Sequence, residues 1–255
     1  MSAQTRFLSV SGNRCGSTWL EFMLNQLPGV RTDFEFQWVS TPPSELHVAM
    51  DQPGFDIDRA FGRISPTTPH VGSKLVFPGQ NPAWSATDQA GLRRVLAPDI
   101  RIIHVSRSYK DAYLSWRRGS GHVKNTQCEI QTTGIQKWLW SEYQDTFFSE
   151  TRPIALDLDE CRRNFEHRLI AEKFYCSLAQ SHRYYQVRYE NIGKEFKQIL
   201  DFLDIAYQDQ VINRLVNNPP TQKLPRMDYQ RAVTNFDAYL DLAGSYDAQR
   251  LELLN

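Results

Sequence analysis

The sequence predicts an α/β fold, a single domain in which a parallel β-sheet is flanked by helices, with a helical C-terminal part. Two observations favour this class. Short apolar runs typical of strands alternate with amphipathic helical runs over the first half of the chain, as expected for a parallel sheet. The chain has 255 residues, of which 41% are apolar, and this is enough for one sizeable core. One domain spanning residues 1–255 is therefore expected.

The order of the elements follows from the periodicity of the apolar residues. Strands are predicted at residues 7–10, 30–39, 70–77, 100–106 and 184–188. Helices are predicted at residues 18–27, 55–64, 85–96, 109–118, 135–148, 158–180 and 194–203. Residues 119–134 are small and polar with little periodicity, which indicates a mobile surface loop beside a ligand site. Residues 206–255 are predicted to form a helical C-terminal segment.

Composition excludes several classes of function. Lys and Arg together number 29, as do Asp and Glu, so net charge gives no reason to expect nucleic acid or an anionic membrane as a partner. No apolar run is long enough to span a bilayer, and the first strand begins too early to leave room for a signal peptide. A soluble, cytoplasmic protein is expected. The four cysteines lack C-x-x-C pairing, which predicts free thiols and no structural metal.

The most informative stretch is residues 7–24, in which an apolar strand, a glycine-containing loop and an amphipathic helix follow without a break. Such a loop directs backbone N–H groups and the positive end of a helix into one space, so we interpret it as a phosphate cradle. It fails the test for an ATP-binding loop, because Ser11 and Ser17 stand where that motif has Gly and Lys. Its only cation is Arg14. The alternative is an ordinary strand-to-helix turn.

Two further strand ends carry candidate ligand-binding residues. Arg107 follows the most apolar strand, and Ser115 lies eight positions later on the next helix. Ligands of open α/β sheets bind at the carboxyl ends of strands, so Arg107 is well placed for a second phosphate. The strand at 184–188 ends in Tyr189 and Glu190. The alternative interpretations are structural. Arg107 would cap a strand end, Ser115 would lie on a solvated face, and Tyr189 would pack in the core.

Together these three elements resemble the sulfotransferases that use 3′-phosphoadenosine 5′-phosphosulfate as sulfuryl donor. The resemblance covers roughly residues 7–203 and implies a P-loop-like architecture. It implies contacts with the 5′-phosphate from the loop and first helical turn, namely Arg14, Cys15, Gly16, Ser17 and Thr18. It further implies that Arg107 and Ser115 hold the 3′-phosphate and that Trp19 and Tyr189 lie near the adenine.

The chain departs from the family pattern towards its C-terminus. Families with a long C-terminal segment place an Arg-Lys-Gly and a Gly-x-x-Gly-x-x-Lys motif over the 3′-phosphate. This chain has Lys223, Arg226 and Arg231 in that region, without the glycines. The resemblance therefore does not say which of these three residues contacts the donor.

Sulfuryl transfer needs charge stabilisation on the leaving group and a base. Arg14 is the candidate for the first role. Three residues are candidates for the second. Glu35 is the stronger choice, because carbohydrate- and tyrosine-directed relatives with an Arg in the loop place a catalytic Glu there, although it could also be a polar residue on the solvated face of its strand. Lys74 stands at or near a family His position, and His70 is disfavoured because it lies at the start of its strand. With Glu35 as base, Lys74 would neutralise the transferred sulfonate. No metal is required, since the leaving group is a phosphate already met by Arg and N–H donors.

Cys15 lies near a helix N-terminus, a setting that lowers the pKa of a thiol. Because no nearby residue forms a Cys/His pair with it, we interpret it as a small loop residue rather than a nucleophile.

The function predicted is transfer of a sulfuryl group to an acceptor hydroxyl, in a small molecule or a glycan. Carbohydrate or glycolipid is slightly favoured, because the loop is of the Arg type. A nucleotide kinase with a degenerate loop and a non-catalytic nucleotide-binding module are the alternatives. The sequence identifies neither the acceptor nor the oligomeric state.

Overall fold

The structure is a computed structural model that describes residues 4–33, 57–77, 89–90, 93, 96–117, 150–218 and 227–254. Several predicted features lie outside the described residues. They are the second half of the strand at 30–39, most of the helix at 85–96, the loop at 119–134 and the helix at 135–148.

The central element is a five-stranded sheet in which every pairing is parallel. Its strands are β1 (Thr5–Gly12), β2 (Val30–Asp33), β3 (His70–Phe77), β4 (Arg101–Ser106) and β5 (Tyr184–Arg188). Their order in the sheet is β2-β3-β1-β4-β5. The predicted α/β class and the parallel sheet are therefore confirmed, and β3 and β5 have the predicted bounds.

Eight α-helices surround the sheet in the part of the chain that the structure describes. They are α1 (Ser17–Leu24), α2 (Ile57–Ile64), α3 (Tyr109–Arg117), α4 (Leu158–Ser177), α5 (Phe196–Phe202), α6 (Asp209–Asn217), α7 (Tyr229–Ala232) and α8 (Phe236–Leu254). Short 3-10 turns follow α4 at Leu178–Gln180 and β5 at Tyr189–Asn191. The helical C-terminal part is confirmed. None of these helices combines the length and the apolar character needed to cross a bilayer.

Alternation along β1 divides the core between the two faces of the sheet. Phe7 belongs to the cluster on the face covered by α1, α5 and α6, whereas Leu8 and Val10 belong to the cluster on the face covered by α2 and α4. A third cluster joins α3, α4 and α8. Both faces of the sheet are thus covered, as buried parallel strands require.

The strand order determines where a ligand site can form. The chain leaves β1 towards β2 and β3 on one side of the sheet, and later continues through β4 and β5 on the other. The carboxyl ends of β1 and β4 therefore border the crevice at the point where the strand order reverses, which is the usual ligand position in open α/β sheets. The β1–α1 loop (residues 13–16) and Arg107 both lie at this edge.

The C-terminal helix fixes the beginning of α3. Asp247 of α8 accepts hydrogen bonds from the backbone N–H of Tyr109, at 2.8 Å, and from the hydroxyl of Ser108, at 2.9 Å. It thereby satisfies N–H groups that would otherwise lack partners at the start of the helix. The chain immediately after Arg107 is consequently tied to α8.

A buried ion pair links β4 to α4. His104 and Glu172 are almost inaccessible to solvent, and Nε2 of His104 lies 3.4 Å from Oε1 of Glu172. Nδ1 of the same ring is 2.6 Å from the hydroxyl of Tyr184. Burial has the largest single effect and lowers the pKa of His104, but Glu172 and Cys176 together outweigh it and raise the pKa to about 9.

This ion pair makes stability depend on pH. Because the folded-state pKa of His104 lies above its unfolded value of 6.5, the stabilisation is complete below about pH 6.5 and is lost as pH rises towards 9. The loss is on the order of 3 kcal/mol. Urea unfolding of the wild-type protein should show this decline between pH 6.5 and 9. His104→Gln should remove most of it, whereas His182→Gln should retain it. An unchanged decline in His104→Gln would contradict the assignment.

Candidate functional site

The β1–α1 loop depends on a glycine at the position where α1 begins. Gly16 has a φ of 94°, in the left-handed region that glycine adopts without strain. A Cβ atom at this position would lie 2.2 Å from Cδ2 of Tyr189. Both the backbone conformation and the contact with the Tyr189 ring therefore require Gly16. Arg14, with a φ of 65°, is held in the same unusual region without being a glycine.

The start of α1 has the properties of an anion site. No side chain among the described residues caps its N-terminus, so the first N–H groups lie unpaired by these side chains at the positive end of the helix. The left-handed Gly16 followed by the right-handed helix also directs successive N–H groups into one concavity. The interpretation of the loop as a phosphate cradle stays a prediction, and this geometry allows it.

Arg107 joins the loop to the end of β5. Its Nη1 donates a hydrogen bond to the backbone carbonyl of Arg14 at 2.9 Å. Its guanidinium carbon lies 4.3 Å from the centre of the Tyr189 ring, which is a favourable cation–π distance. Among the described residues, Arg107 forms no ion pair with a carboxylate. Its charge therefore remains available to a bound anion.

Two arginines of the site repel each other. Burial, followed by the positive charge of Arg107, lowers the pKa of Arg14 to about 10. The repulsion between the two guanidinium groups is unfavourable, and an anion bound beside them would offset it. The electrostatics of the site therefore favour a strongly anionic ligand.

A polar network lies under the first turn of α1. Nζ of Lys74, which is only 6% exposed, donates to the hydroxyl of Thr18 at 2.9 Å. Lys74 pairs in register with Ser9 of β1, and the hydroxyl of Ser9 donates to Oε1 of the buried Glu21 at 2.5 Å. The strand positions thus hold Lys74 and Thr18 together beneath the loop. Beside them the hydroxyl of Ser11 donates to that of Ser17 at 3.0 Å.

The two aromatic residues assigned to the adenine lie together. The rings of Trp19 and Tyr189 meet edge to face, with centres 5.9 Å apart and planes at 68°. Both are only partly buried against the neighbouring core cluster. This exposure leaves aromatic surface available at the crevice, since edge-to-face pairs are stable without covering both rings.

Cys15 differs from its sequence-based expectation in one respect. Its position near a helix N-terminus indicated a lowered thiol pKa, but its side chain is 3% exposed and burial raises the pKa. The expectation is wrong because desolvation of the thiolate outweighs the helix end. The side chain packs inside the loop, so Cys15 faces the cradle through its backbone alone.

Other predicted site residues are less close to the loop. His70 begins β3 and pairs in register with Thr5, seven positions before the Gly12 end of β1, so it lies roughly 20 Å from the loop edge at the usual rise per strand residue. Ser115 is half-buried on α3, and within the part of the chain that the structure describes it makes no hydrogen bond with Arg107. Glu35 lies outside the described residues, two positions after β2.

The structure brings in residues that the sequence analysis did not select. Glu21 lies in the site network, Asp247 holds the chain after Arg107, and Arg168 of α4 donates to the carbonyl of Asn13 at 2.9 Å. A charged residue on the apolar face of a helix was the only sequence signal for Glu21 and Arg168. The described ranges contain no group of three or more metal-ligating side chains.

Comparison with known proteins identifies the family. The family model described as "Sulfotransferase domain" matches residues 4–224. No sequence among curated proteins matches this chain.

Solved structures of low sequence identity are also similar. The sulfotransferase domain of the Synechococcus PCC 7002 olefin synthase is 14% identical, with a TM-score of 0.46, covering 99% of this chain and 95% of that one. The sulfotransferase domain from the curacin biosynthetic pathway is 14% identical, with a TM-score of 0.47, covering 98% and 97%. Mouse sulfotransferase SULT7A1, complexed with PAP, is 14% identical, with a TM-score of 0.40, covering 91% and 71%.

Replacing Gly16 tests the contact at the base of the loop. Gly16→Ala should destabilise the fold by roughly 1–3 kcal/mol, because alanine is strained at positive φ and its Cβ would collide with the Tyr189 ring. The measurement is urea unfolding. The control Gly244→Ala, at a helical position with open space around it, should be neutral or slightly stabilising. Equal effects of the two variants would contradict this account of the loop.

Proposed function

The chain belongs to the sulfotransferase domain family, and from that premise we propose that it transfers a sulfuryl group from 3′-phosphoadenosine 5′-phosphosulfate to an acceptor hydroxyl. The donor carries a 5′-phosphosulfate and a 3′-phosphate, so it presents two separate anionic groups. A site for it needs two groups of cationic or N–H donors and an aromatic surface between or beside them.

The observation that carries the proposal is the pair formed by Arg14 and Arg107. Burial and Arg107 lower the pKa of Arg14 to about 10, and Arg107 has no carboxylate partner among the described residues. Two guanidinium groups near each other at the switch point of the sheet repel each other. A donor with phosphate groups would relieve that repulsion.

The residues of the loop have roles in binding and stabilisation. When bound, the donor supplies an electrophilic sulfuryl group attached to a phosphate leaving group. Arg14 stabilises the negative charge that develops on that leaving group, since its guanidinium is a permanent cation. The N–H groups of residues 14–18 and the hydroxyls of Ser17 and Thr18 hold the 5′-phosphate. Lys74, held at Thr18, neutralises the transferred sulfonate.

A second set of residues holds the nucleoside and the 3′-phosphate. Arg107 is assigned to the 3′-phosphate together with Ser115 of α3, as the family resemblance implies. Trp19 and Tyr189 are assigned to the adenine, and their partial exposure at the crevice supports this role. The contact between Arg107 and the Tyr189 ring would keep these two parts of the donor site adjacent.

Glu35 is proposed as the base that accepts the proton of the acceptor hydroxyl. This role rests on the family resemblance, and a carboxylate desolvated by substrate can have its pKa raised enough for it. Nζ of Lys74 is hydrogen-bonded to Thr18, and His70 lies at the start of β3, at the end of the sheet opposite the loop. Glu35 is therefore the preferred candidate. Full turnover by Glu35→Gln would remove it from this role.

The acceptor is proposed to be a hydroxyl of a carbohydrate or glycolipid. The support is the Arg-type loop, which the sequence shares with sulfotransferases that modify such acceptors. A screen of sugar, glycolipid, phenol and peptide-tyrosine acceptors with labelled donor would test this. Labelling of phenols alone would contradict the proposed acceptor class.

Replacing Arg107 tests the donor site. Arg107→Ala should weaken the binding of adenosine 3′,5′-bisphosphate by about 10- to 100-fold, because charge-assisted hydrogen bonds of this kind contribute about 1.5–3 kcal/mol each. The binding of AMP, which lacks the 3′-phosphate, should fall by a smaller factor. Isothermal titration calorimetry of both ligands measures the ratio.

The control is Arg117→Ala on α3, where the guanidinium forms a partly exposed ion pair with Glu160 and should contribute little. If Arg107→Ala leaves the ratio of the two affinities unchanged, Arg107 does not hold the 3′-phosphate.

A further inference from the structure

A buried arginine outside the predicted site reaches the β1–α1 loop from behind. Arg168 lies on α4 and is 2% exposed. Its Nη1 donates to the backbone carbonyl of Asn13 at 2.9 Å, and its Nε donates to Oδ1 of Asn164, one helical turn away, at 2.7 Å. The amide of Asn164 therefore holds the guanidinium in the orientation that reaches the loop.

Within the described ranges, Arg168 forms no ion pair with a carboxylate. Burying a guanidinium costs several kcal/mol unless its surroundings compensate, and here its hydrogen bonds go to a backbone carbonyl and an amide. A neutral apolar residue would fill this position in α4 at lower cost. The placement of the charge beside the loop thus calls for a role there.

The direction of the peptide groups indicates that role. In a trans peptide, the C=O and the following N–H point in opposite directions. The carbonyl of Asn13 points towards Arg168, so the N–H of Arg14 points away from it. The carbonyl of Arg14 points towards Arg107, at 2.9 Å. The N–H of Cys15, which follows in the same peptide group, therefore points away from Arg107. Two guanidinium groups thus fix two consecutive peptide planes of the loop.

We propose that Arg168 is a positioning residue of the donor site, which holds the Asn13 carbonyl so that the loop N–H groups face the 5′-phosphate. This proposal rests on the proposed function and extends it to a residue of α4. Arg168 does not contact the donor itself. It orders the loop before the donor binds, and its charge polarises the peptide group towards a stronger N–H donor. It also supports the left-handed conformation of Arg14.

A merely structural role for Arg168 would have a different consequence. Loss of packing in α4 would lower stability and reduce binding of every nucleotide equally. Loss of loop order would reduce the contribution of the 5′-phosphate selectively. The two roles are separated by comparing adenosine 3′,5′-bisphosphate with adenosine 3′-monophosphate, which lacks the 5′-phosphate.

The experiment is isothermal titration calorimetry of these two ligands with the wild-type chain and with Arg168→Met. Methionine has a similar length and is apolar, so it can fill the buried position. The variant should bind the bisphosphate at least tenfold more weakly and should bind the 3′-monophosphate unchanged. The control Arg162→Met, at an exposed position of the same helix, should resemble the wild type for both ligands. Circular dichroism verifies that each variant is folded.

A second variant tests the contact without removing the arginine. A Cβ atom at Gly12 would lie 2.9 Å from Nη1 of Arg168, so Gly12→Ala should displace the guanidinium from the Asn13 carbonyl. It should weaken bisphosphate binding about threefold and leave binding of the 3′-monophosphate unchanged. This variant decides the matter if Arg168→Met does not fold.

The outcomes separate the two proposals. A folded Arg168→Met variant with wild-type preference for the 5′-phosphate would overturn the positioning role and leave the proposed function intact. The same result with Gly12→Ala, where Arg168→Met does not fold, would also overturn it. A wild-type chain that shows no preference for the bisphosphate over the 3′-monophosphate would contradict the proposed function, and the positioning role with it.

Discussion

The contact between the Tyr189 ring and Gly16 is the constraint on which the site depends. It requires a residue without a side chain at the beginning of α1, and so it determines where the helix starts and how its N–H groups are directed. The same ring meets the edge of Trp19 and lies under the guanidinium of Arg107. One aromatic side chain at the end of β5 therefore joins the loop after β1, the first helix and the residue after β4. These segments are distant in sequence, and the parallel strand order brings their ends to one edge of the sheet.

The site is locally positive although the chain has equal numbers of acidic and basic residues. Arg14, Arg107 and Lys74 face or underlie the loop, and Arg168 supports it from α4. Each of these charges is partly or fully removed from water, which is unfavourable in itself. Arg107, Lys74 and Arg168 direct hydrogen bonds to carbonyls and a hydroxyl of the loop and the first helical turn, which partly compensates this cost.

The sheet and the loop could be predicted from the sequence because they depend on local patterns. The apolar runs predicted the full bounds of β3 and β5 correctly, and the Gly and Ser residues before α1 indicated the turn. Arg168 could not be selected in this way, since its role arises from a contact with Asn13, 155 positions away in the chain. The pKa of Cys15 was predicted in the wrong direction for a related reason, because sequence places it near a helix end but does not show that its thiol is buried. Asp247 acts on α3 from the far end of the chain, beyond the reach of any local pattern.

The most direct test of the account is calorimetric titration of the wild-type protein with adenosine 3′,5′-bisphosphate and with Mg-ATP, each in the presence and absence of EDTA. The account predicts micromolar or tighter binding of the bisphosphate that EDTA does not weaken, because Arg14, Arg107 and the loop N–H groups supply the positive charge. Binding of Mg-ATP in preference to the bisphosphate, abolished by EDTA, would contradict it and indicate phosphoryl transfer instead. Failure to bind either nucleotide would indicate that the loop is an ordinary strand-to-helix turn without a phosphate-binding role.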